Sequence, residues 1–288
     1  MSEDINIGVI GGSGLYKMQG VELVREVSID TPFGPPSDAI LVTKIKGTSV
    51  AFLSRHGRGH VHSPTEVPYR ANIYALKQMG VSRIISVSAC GSLRENLEPG
   101  HFVIPDQVFD FTQKRARSFF GEGWVAHISV ADPYCPTLSS EVADAVEASG
   151  GTVHRGGQFI TIEGPRFSTK SESQVFRTWG MDIIGMTASP EVFLAREAGI
   201  CYATIAHITD YDVWHEAEGP VTVEMVVRQL QTNVKIAQQA IRAIVPKLDR
   251  MDFEACECSD ALENASITDP DKIPEETRDK LELLTRDR

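Results

Sequence analysis

The chain has 288 residues, of which 42% are hydrophobic and 23% are charged, a composition typical of a folded globular protein and not of a disordered or coiled-coil chain. Its formal net charge of -11 at pH 7 is a poor match to a phosphate backbone, so we expect no nucleic-acid partner. No apolar run approaches the roughly 20 residues that span a bilayer, and the first residues lack the features of a signal peptide, so we expect a cytoplasmic protein with no membrane partner.

Short apolar runs rich in β-branched residues alternate with longer segments of helical spacing along the chain. We predict strands over residues 7–10, 49–53, 84–87, 102–104, 159–162 and 202–208. We predict helices over residues 68–79, 139–149, 170–179, 190–198 and 223–243. Because the strands are continuously apolar, they should lie inside the protein with helices on both sides. The sequence therefore predicts an α/β fold with a central mixed β-sheet flanked by helices on both faces.

Residues 1–246 contain no internal repeat and no low-complexity linker, so we predict a single domain over this range. From residue 247 onward the chain is charge-rich and contains Pro270 and Pro274. We predict that residues 247–288 form a charged C-terminal extension that is docked on the domain or partly mobile.

Five cysteines, an odd number, are scattered over positions 90, 135, 201, 256 and 258. This distribution favours free thiols over a secreted disulfide framework. Cys256 and Cys258 are separated by one residue and are also compatible with a redox-active link, so their state stays open.

Glycines follow the first predicted strand in the segment Gly11-Gly-Ser-Gly14. Backbone N–H groups of such a turn can point at an anion, and Ser13 adds a hydroxyl. The spacing matches neither the dinucleotide-binding pattern nor the P-loop, so a plain turn after the strand remains an alternative.

Residues 55–62 form the densest cationic stretch of this acidic chain. Arg55 and His56 can bind an anionic substrate, since a guanidinium donates two hydrogen bonds to one phosphate. His56 and His60 are four residues apart, which also permits metal binding. Gly57 and Gly59 disfavour a helix there, however, and no carboxylate completes a zinc motif, so we favour an anion and identify no metal site.

Three further segments carry small or polar residues near predicted strand ends, where ligands bind in α/β proteins. Residues 88–92 permit a close approach of a ligand or form a tight turn. Phe167 offers a flat face to a purine or is a buried structural ring. Thr187 is a second hydroxyl for the anion or belongs to an ordinary helix start.

Two carboxylates, Asp210 and Asp212, directly follow the predicted strand over residues 202–208. Neighbouring acids can be kept from ionising equally, which permits general-acid chemistry near neutral pH. An Asx turn that ends the strand is the alternative interpretation.

In this order, these segments resemble those of the purine nucleoside phosphorylases, in the methylthioadenosine phosphorylase branch. The resemblance extends from about residue 7 to about residue 246. It rests on Gly11-Gly-Ser-Gly14, Asp30-Thr-Pro-Phe-Gly34, Arg55-His-Gly-Arg58, Ala89-Cys-Gly-Ser92, Thr161-Ile-Glu-Gly-Pro-Arg-Phe-Ser168, Met186-Thr187, Pro190-Glu191 and Thr209-Asp-Tyr-Asp212.

The resemblance implies an enzyme of purine and methionine salvage in which inorganic phosphate is a co-substrate and no cofactor or metal is needed. Phosphate attacks the anomeric carbon of 5'-methylthioadenosine and releases adenine and 5-methylthioribose 1-phosphate. The same resemblance implies that phosphate is bound by Ser13, Arg55, His56, Ser88, Ala89 and Thr187, the alanine acting through its backbone.

For the nucleoside, the resemblance implies a catalytic acid, Asp210, that acts on N7 of the leaving base. It implies substrate contacts from Phe167, Met186, Tyr211 and Asp212, with specificity set by Ser168 and Val223. An apolar wall for the 5' methylthio group is expected from Val221, Val223 and Val226.

The resemblance also implies a homotrimer or a homohexamer built as a dimer of trimers, in which His127 reaches a neighbouring site. Three alternatives remain open: a 6-oxopurine nucleoside or methylthioinosine phosphorylase, a hydrolase of the same fold, and a non-catalytic purine nucleoside-binding protein.

Overall fold

A computed structural model describes residues 5–12, 15, 21–215, 223–251 and 256–286, and for residues 223–228, 230 and 231 it describes the backbone only. Eleven strands in these residues form one mixed sheet: β1 (Ile7–Gly11), β2 (Glu22–Val27), β3 (Ile40–Ile45), β4 (Thr48–Ser54), β5 (Arg83–Ser92), β6 (Phe102–Ile104), β7 (Gln107–Phe111), β8 (Val153–Arg155), β9 (Gln158–Ile162), β10 (Ile183–Gly185) and β11 (Cys201–Asp210). The α-helices are α1 (Tyr69–Gln78), α2 (Pro136–Ala148), α3 (Lys170–Thr178), α4 (Ala188–Glu197), α5 (Val223–Leu248) and α6 (Glu275–Thr285).

All of the predicted elements are present, and the predicted fold class is confirmed. The six predicted strands correspond to β1, β4, β5, β6, β9 and β11, and the five predicted helices to α1 through α5. Three of the five strands that the sequence analysis missed carry weak signals, whereas β3 is a buried apolar strand and β7 alternates between exposed and half-buried residues. β8 and β10 have three residues each, and β2 is an exposed strand at the edge of the sheet with no continuous apolar run.

Four parallel strands form the centre of the sheet. β1 lies between β4 and β5 and is parallel to both, and β5 is also parallel to β11. The carboxyl ends of these strands therefore meet at one edge, which is where ligands bind in α/β sheets. β10 runs antiparallel to the last residues of β5 and brings the segment after Gly185 to the same edge.

Hydrophobic packing covers both faces of the sheet, as expected for strands that are buried throughout. On one face, strand residues such as Val9 and Ile85 pack with Val142 of α2 and Ile241 of α5. On the other face, the core combines residues from α1, α4 and α6 with alternate residues of the same strands. None of the described helices has both the length and the apolar character that crossing a membrane requires.

The described part of the C-terminal extension packs against the rest of the chain. Leu281 and Leu284 of α6 are buried in the core that also contains Tyr74. Backbone bonds join Ile267 N–H to the carbonyl of Val125 at 3.1 Å and His127 N–H to the carbonyl of Ala265 at 2.8 Å. The division of the chain at residue 246 stays a prediction.

A buried histidine on the central strand β11 makes the fold sensitive to acid. His207 is 2% exposed, and burial lowers the pKa of its imidazole from 6.5 to about 4. Between these two pH values the unfolded chain binds a proton that the folded chain excludes. Above pH 6.5 the ring is neutral in both states and does not affect stability. The free energy of unfolding decreases as the pH falls from 6.5 toward 4.

We predict that His207→Gln removes this part of the acid sensitivity, because glutamine does not titrate. Between pH 6.5 and 4 the free energy of unfolding should decrease in both proteins. The decrease should be larger in the unmodified chain than in the variant, by up to about 3 kcal/mol. Urea titrations at a series of pH values measure this difference. The exposed His127, changed to Gln, is the control, and an equal acid response in His207→Gln and the unmodified chain would show that His207 is not responsible.

Candidate active site

A buried ion pair lies where the carboxyl ends of the central strands meet. Arg55 directly follows β4, and Glu191 lies in the first turn of α4. Nε and Nη2 of Arg55 each donate to one carboxylate oxygen of Glu191 at 2.7 Å, and the two side chains are 3% and 0% exposed. The hydroxyl of Tyr202 donates to the same carboxylate at 2.6 Å. Because either charge would be unsolvated without the other, this pair fixes the position of both residues.

The other N–H groups of Arg55 bind strand β5. Nη2 donates to Oγ of Ser86 at 2.7 Å, and Nη1 donates to the carbonyl of Val87 at 3.1 Å. Together with the bonds to Glu191, these occupy Nε, both hydrogens of Nη2 and one hydrogen of Nη1. We expected the guanidinium fork to hold a phosphate, whereas in the structure Glu191 takes the fork and one Nη1 hydrogen remains for a ligand.

Two buried hydroxyls, those of Ser88 and Thr187, face each other. Ser88 directly follows Val87 in β5. The antiparallel register that pairs Ile184 with Gly91 leads, when continued, to residue 187 opposite residue 88. The two hydroxyl oxygens are 3.3 Å apart, and the residues are 6% and 7% exposed. Thr187 precedes α4 without capping it through its side chain, so its hydroxyl stays available. Both hydroxyls are donors suited to an anion, and that of Thr187 lies at a helix N-terminus.

The ring of His56 is held in one orientation. Its Nδ1 lies 2.9 Å from the carbonyl of His62, which requires Nδ1 to be the donor, and the ring stacks on His60 with 4.2 Å between ring centres. Burial lowers the pKa of His56 to about 4, so the ring is neutral at pH 7. Its Nε2 then carries a lone pair and can accept a hydrogen bond from a protonated oxygen of a ligand.

An arginine that the sequence analysis missed joins the two loops that carry Phe167 and Thr187. Nη1 of Arg115 donates to the carbonyls of Met186 and Ser189 at 2.6 and 2.7 Å, and its Nη2 donates to the carbonyl of Glu163 at 2.7 Å. Most of its partners are backbone carbonyls, and it also contacts the side chains of Glu163 and Tyr69. No sequence pattern identified this residue. Arg115 is 7% exposed and acts as a fixed clamp between the loops.

The acidic pair lies at the end of β11, next to β5. Oδ2 of Asp210 accepts from the hydroxyl of Thr209 at 2.7 Å, and Oδ1 accepts from the backbone N–H of Asp212 at 2.8 Å. A side chain on Gly91 would approach Oδ1 of Asp210 to 2.9 Å, so glycine leaves the space for this carboxylate. Asp210 and Asp212 are 6% and 7% exposed.

Asp212 has an incompletely satisfied polar environment. Burial raises the pKa of its carboxyl, and the hydroxyls of Ser173 and Ser168 offset part of the rise. Oδ2 of Asp212 and both hydroxyl oxygens are nevertheless buried without a well-formed hydrogen bond among the described residues. Buried polar atoms of this kind are expected to gain partners from a ligand.

An apolar cluster adjoins these acids. Met186 and Tyr211 pack against buried Ile162, Ile184 and Trp214. Gly164 has a φ of +64°, and a Cβ at this position would lie 2.6 Å from the sulfur of Met186, so glycine permits the close approach of the loop. Phe167 in the same loop is 40% exposed.

The structure does not describe the side chains of four of the predicted site residues. Ser13 and Val221 lie outside the described residues, and for Val223 and Val226 only the helical backbone of α5 is described. Ala89 lies in β5 directly after Ser88, as predicted. His127 is exposed on the segment that pairs with the C-terminal extension.

A mixed sheet with hydroxyl donors and a buried acidic pair at one edge is the arrangement that the resemblance to the nucleoside phosphorylases predicts. Comparison with known proteins agrees: residues 6–246 match the model of the family described as Phosphorylase superfamily. The chain belongs to this superfamily, and the family resemblance found in the sequence is confirmed.

Individual relatives are similar over almost the whole chain. A protein of Geobacter sulfurreducens named S-methyl-5'-thioadenosine phosphorylase is 52% identical over 279 residues, which cover 96% of this chain and 97% of the relative. The crystal structure of a methylthioadenosine phosphorylase from an antarctic soil metagenomic library has a TM-score of 0.92 and 46% identity and covers 98% of this chain and 99% of its own. A mutant of the adenosine/methylthioadenosine phosphorylase of Schistosoma mansoni in complex with methylthioadenosine has a TM-score of 0.84 and 34% identity, over 91% of this chain and 99% of that one.

We predict that Glu191→Gln destabilises the protein by about 3–5 kcal/mol, because it leaves the buried guanidinium of Arg55 without its counter-charge. Urea unfolding at pH 7 measures the change. Glu147→Gln, which removes a carboxylate from an exposed pair with Arg155, is the control and should cost less than about 1 kcal/mol. Equal losses in the two variants would contradict the importance of the buried pair.

Proposed function

We propose that this protein catalyses the phosphorolysis of S-methyl-5'-thioadenosine to adenine and 5-methylthio-α-D-ribose 1-phosphate, a reaction of purine and methionine salvage. The observation that carries the proposal is the meeting of two buried hydroxyls, on Ser88 and Thr187, with the acid pair Asp210 and Asp212 at one edge of the sheet. The names of the relatives agree with it.

The reaction requires an anion on one side of the sugar and a proton donor on the other. Cleavage of a glycosidic bond through an oxocarbenium-like state builds positive charge on the ribose and negative charge on the leaving base. We assign phosphate binding to Ser13, Arg55, His56, Ser88, Ala89 and Thr187, as the family resemblance implies. Phosphate held there is both the nucleophile and the counter-charge to the sugar, so the reaction needs no cofactor or metal.

The electrostatics of this pocket favour the transition state. The charge of Arg55 is balanced by Glu191, and His56 is neutral at pH 7. A bound phosphate therefore meets hydrogen-bond donors and little net positive charge from these two residues. The cation that develops on the ribose supplies the missing counter-charge, and this attraction grows only as the bond breaks.

Asp210 is the proposed acid for N7 of adenine, and Thr209 can support it in both protonation states. The Thr209 hydroxyl lies 2.7 Å from Oδ2 of Asp210 and 3.2 Å from the carbonyl of Cys90. When Asp210 is ionised, the hydroxyl donates to the carboxylate. When Asp210 is protonated, the hydroxyl can accept from it and donate to Cys90 instead. This rotation keeps the proton donor hydrogen-bonded before and after transfer.

Substrate contacts are assigned to Phe167, Met186, Tyr211 and Asp212, with Ser168 and Val223 bearing on specificity. The exocyclic amino group of adenine can donate a hydrogen bond to the buried Oδ2 of Asp212. Met186 lies in the apolar cluster that adjoins the acids, which suits a methylthio group better than a hydroxyl.

We also propose that the protein is cytoplasmic and assembles as a homotrimer or a dimer of trimers. The exposed ring of His127 is free to reach a neighbouring subunit. The family resemblance, and not a contact in this chain, is the support for this assembly.

The function is tested by measuring base release from methylthioadenosine, adenosine and inosine with and without phosphate. We expect phosphate-dependent release of adenine from methylthioadenosine, with adenosine slower by about 10- to 200-fold, the range that one apolar contact provides. Dominant release of hypoxanthine from inosine would instead indicate a 6-oxopurine phosphorylase. Release without phosphate would indicate a hydrolase, and binding with no product would indicate a non-catalytic binding protein.

We predict that Asp210→Asn lowers kcat for methylthioadenosine by about 10²- to 10⁴-fold with little change in ligand binding, because an amide cannot supply the proton. Steady-state kinetics and a binding titration measure the two effects separately. Asp144→Asn on the exposed surface of α2 is the control. Unchanged turnover would remove Asp210 from the mechanism.

A further inference from the structure

Four of the five cysteines come together at a place far from the acid pair. Cys135 precedes α2, Cys201 is the first residue of β11, and Cys256 and Cys258 belong to the C-terminal extension. Their four sulfur atoms all lie within 4.8 Å of one another. Cys201 and Asp210 are the two ends of β11, roughly 30 Å apart at about 3.3 Å per residue, so this cluster is separate from the proposed active site.

The size of the cluster matches a tetrahedral metal site. Zinc binds cysteine sulfur at about 2.3 Å, which places the sulfurs of a regular tetrahedron roughly 3.8 Å apart. The sulfur of Cys256 lies 3.4 Å from that of Cys135 and 3.4 Å from that of Cys201. With an upper limit of 4.8 Å for all pairs, an ion at the centre needs only small movements of the side chains.

The distances do not single out a disulfide pairing. A disulfide joins two sulfurs at about 2.05 Å and leaves the other two to form a second bond or remain thiols. Cys256 is equally close to two different partners, and the structure contains no disulfide among the five cysteines. Four mutually close sulfurs are the arrangement that one central ion explains.

The surroundings suit thiolate ligands. Cys135, Cys201 and Cys258 are 0%, 6% and 2% exposed and Cys256 is half-buried, so most of the cluster is shielded from water. The backbone N–H of Leu138 donates to the sulfur of Cys135 at 3.4 Å, and Cys135 is the N-cap of α2, where the helix dipole favours negative charge. A set of four soft sulfur ligands selects zinc over magnesium, calcium or manganese.

We propose that Cys135, Cys201, Cys256 and Cys258 bind one zinc ion in a closed structural site. The ion attaches the C-terminal extension to the start of β11 and the start of α2. Because all four coordination positions are taken by protein, the site has no open position for a substrate, and its role is to stabilise the fold.

The proposal is tested on the full chain, purified in reducing buffer without chelators. Metal analysis and native mass spectrometry should find one zinc ion per chain, and X-ray absorption should show four sulfur neighbours at about 2.3 Å from the metal. The double variant Cys256→Ser/Cys258→Ser should lose at least about 10-fold in zinc content, since zinc needs its complete ligand set. Cys90→Ser, which changes the one cysteine outside the cluster, should keep the full amount.

Two results would overturn the proposal. One is that the unmodified protein takes up no zinc even after incubation with zinc chloride in reducing buffer. This holds whether mass spectrometry finds free thiols or finds disulfides, each of which lowers the mass by two hydrogens. The other is zinc bound with nitrogen or oxygen neighbours in the absorption spectrum. Both measurements use the unmodified chain, so they decide the question even if the double variant fails to fold, and neither depends on catalytic activity.

Discussion

The ion pair between Arg55 and Glu191 is the interaction on which the central part of the molecule depends. It connects the end of β4 with α4, and through the further bonds of Arg55 and Glu191 it connects both to β5 and β11. Two charges buried in an apolar interior are costly unless every donor and acceptor has a partner. Here the bidentate geometry and the hydroxyls of Ser86 and Tyr202 supply partners for the carboxylate and for most of the guanidinium. The same bonds determine where Ser88 and Thr187 lie, because each is only a few residues from an atom that the pair holds.

Once the pair is in place, the proposed chemistry depends more on neutral donors than on net charge. Arg55 is the cation that a reader of the sequence would assign directly to phosphate, yet most of its hydrogen-bonding capacity is used within the protein. In the proposed mechanism the hydroxyls of Ser88 and Thr187 are then the donors that bind much of the anion. Such donors stabilise charge without requiring a separate counter-ion, and they are already oriented before the ligand arrives.

Sequence reasoning predicted the parts of this structure that depend on local pattern or on the order of motifs along the chain. Continuous apolar runs identified β1, β5 and β11, because strands buried on both faces leave that signal. The exposed β2 and the three-residue β10 leave none. Among the proposed site residues, the family resemblance indicated Ser88, Thr187 and Asp210, but the clamp formed by Arg115 binds backbone carbonyls and has no motif. The cysteine cluster was equally hidden, since Cys135 and Cys256 are 121 residues apart and only the closely spaced pair was noticeable.

The C-terminal extension contributes to the core although it lies outside residues 6–246, the range that matches the family model. Cys258 packs in the core on one face of the sheet, and Leu281 and Leu284 pack in the core on the other. Burial of each leucine contributes about 1.5–3 kcal/mol, so removal of the extension would expose apolar surface on both faces. Between these contacts, residues 265–267 pair with the segment that carries His127. A zinc ion at the cysteine cluster would fix one end of this extension, α6 fixes the other, and the position of His127 would follow from both.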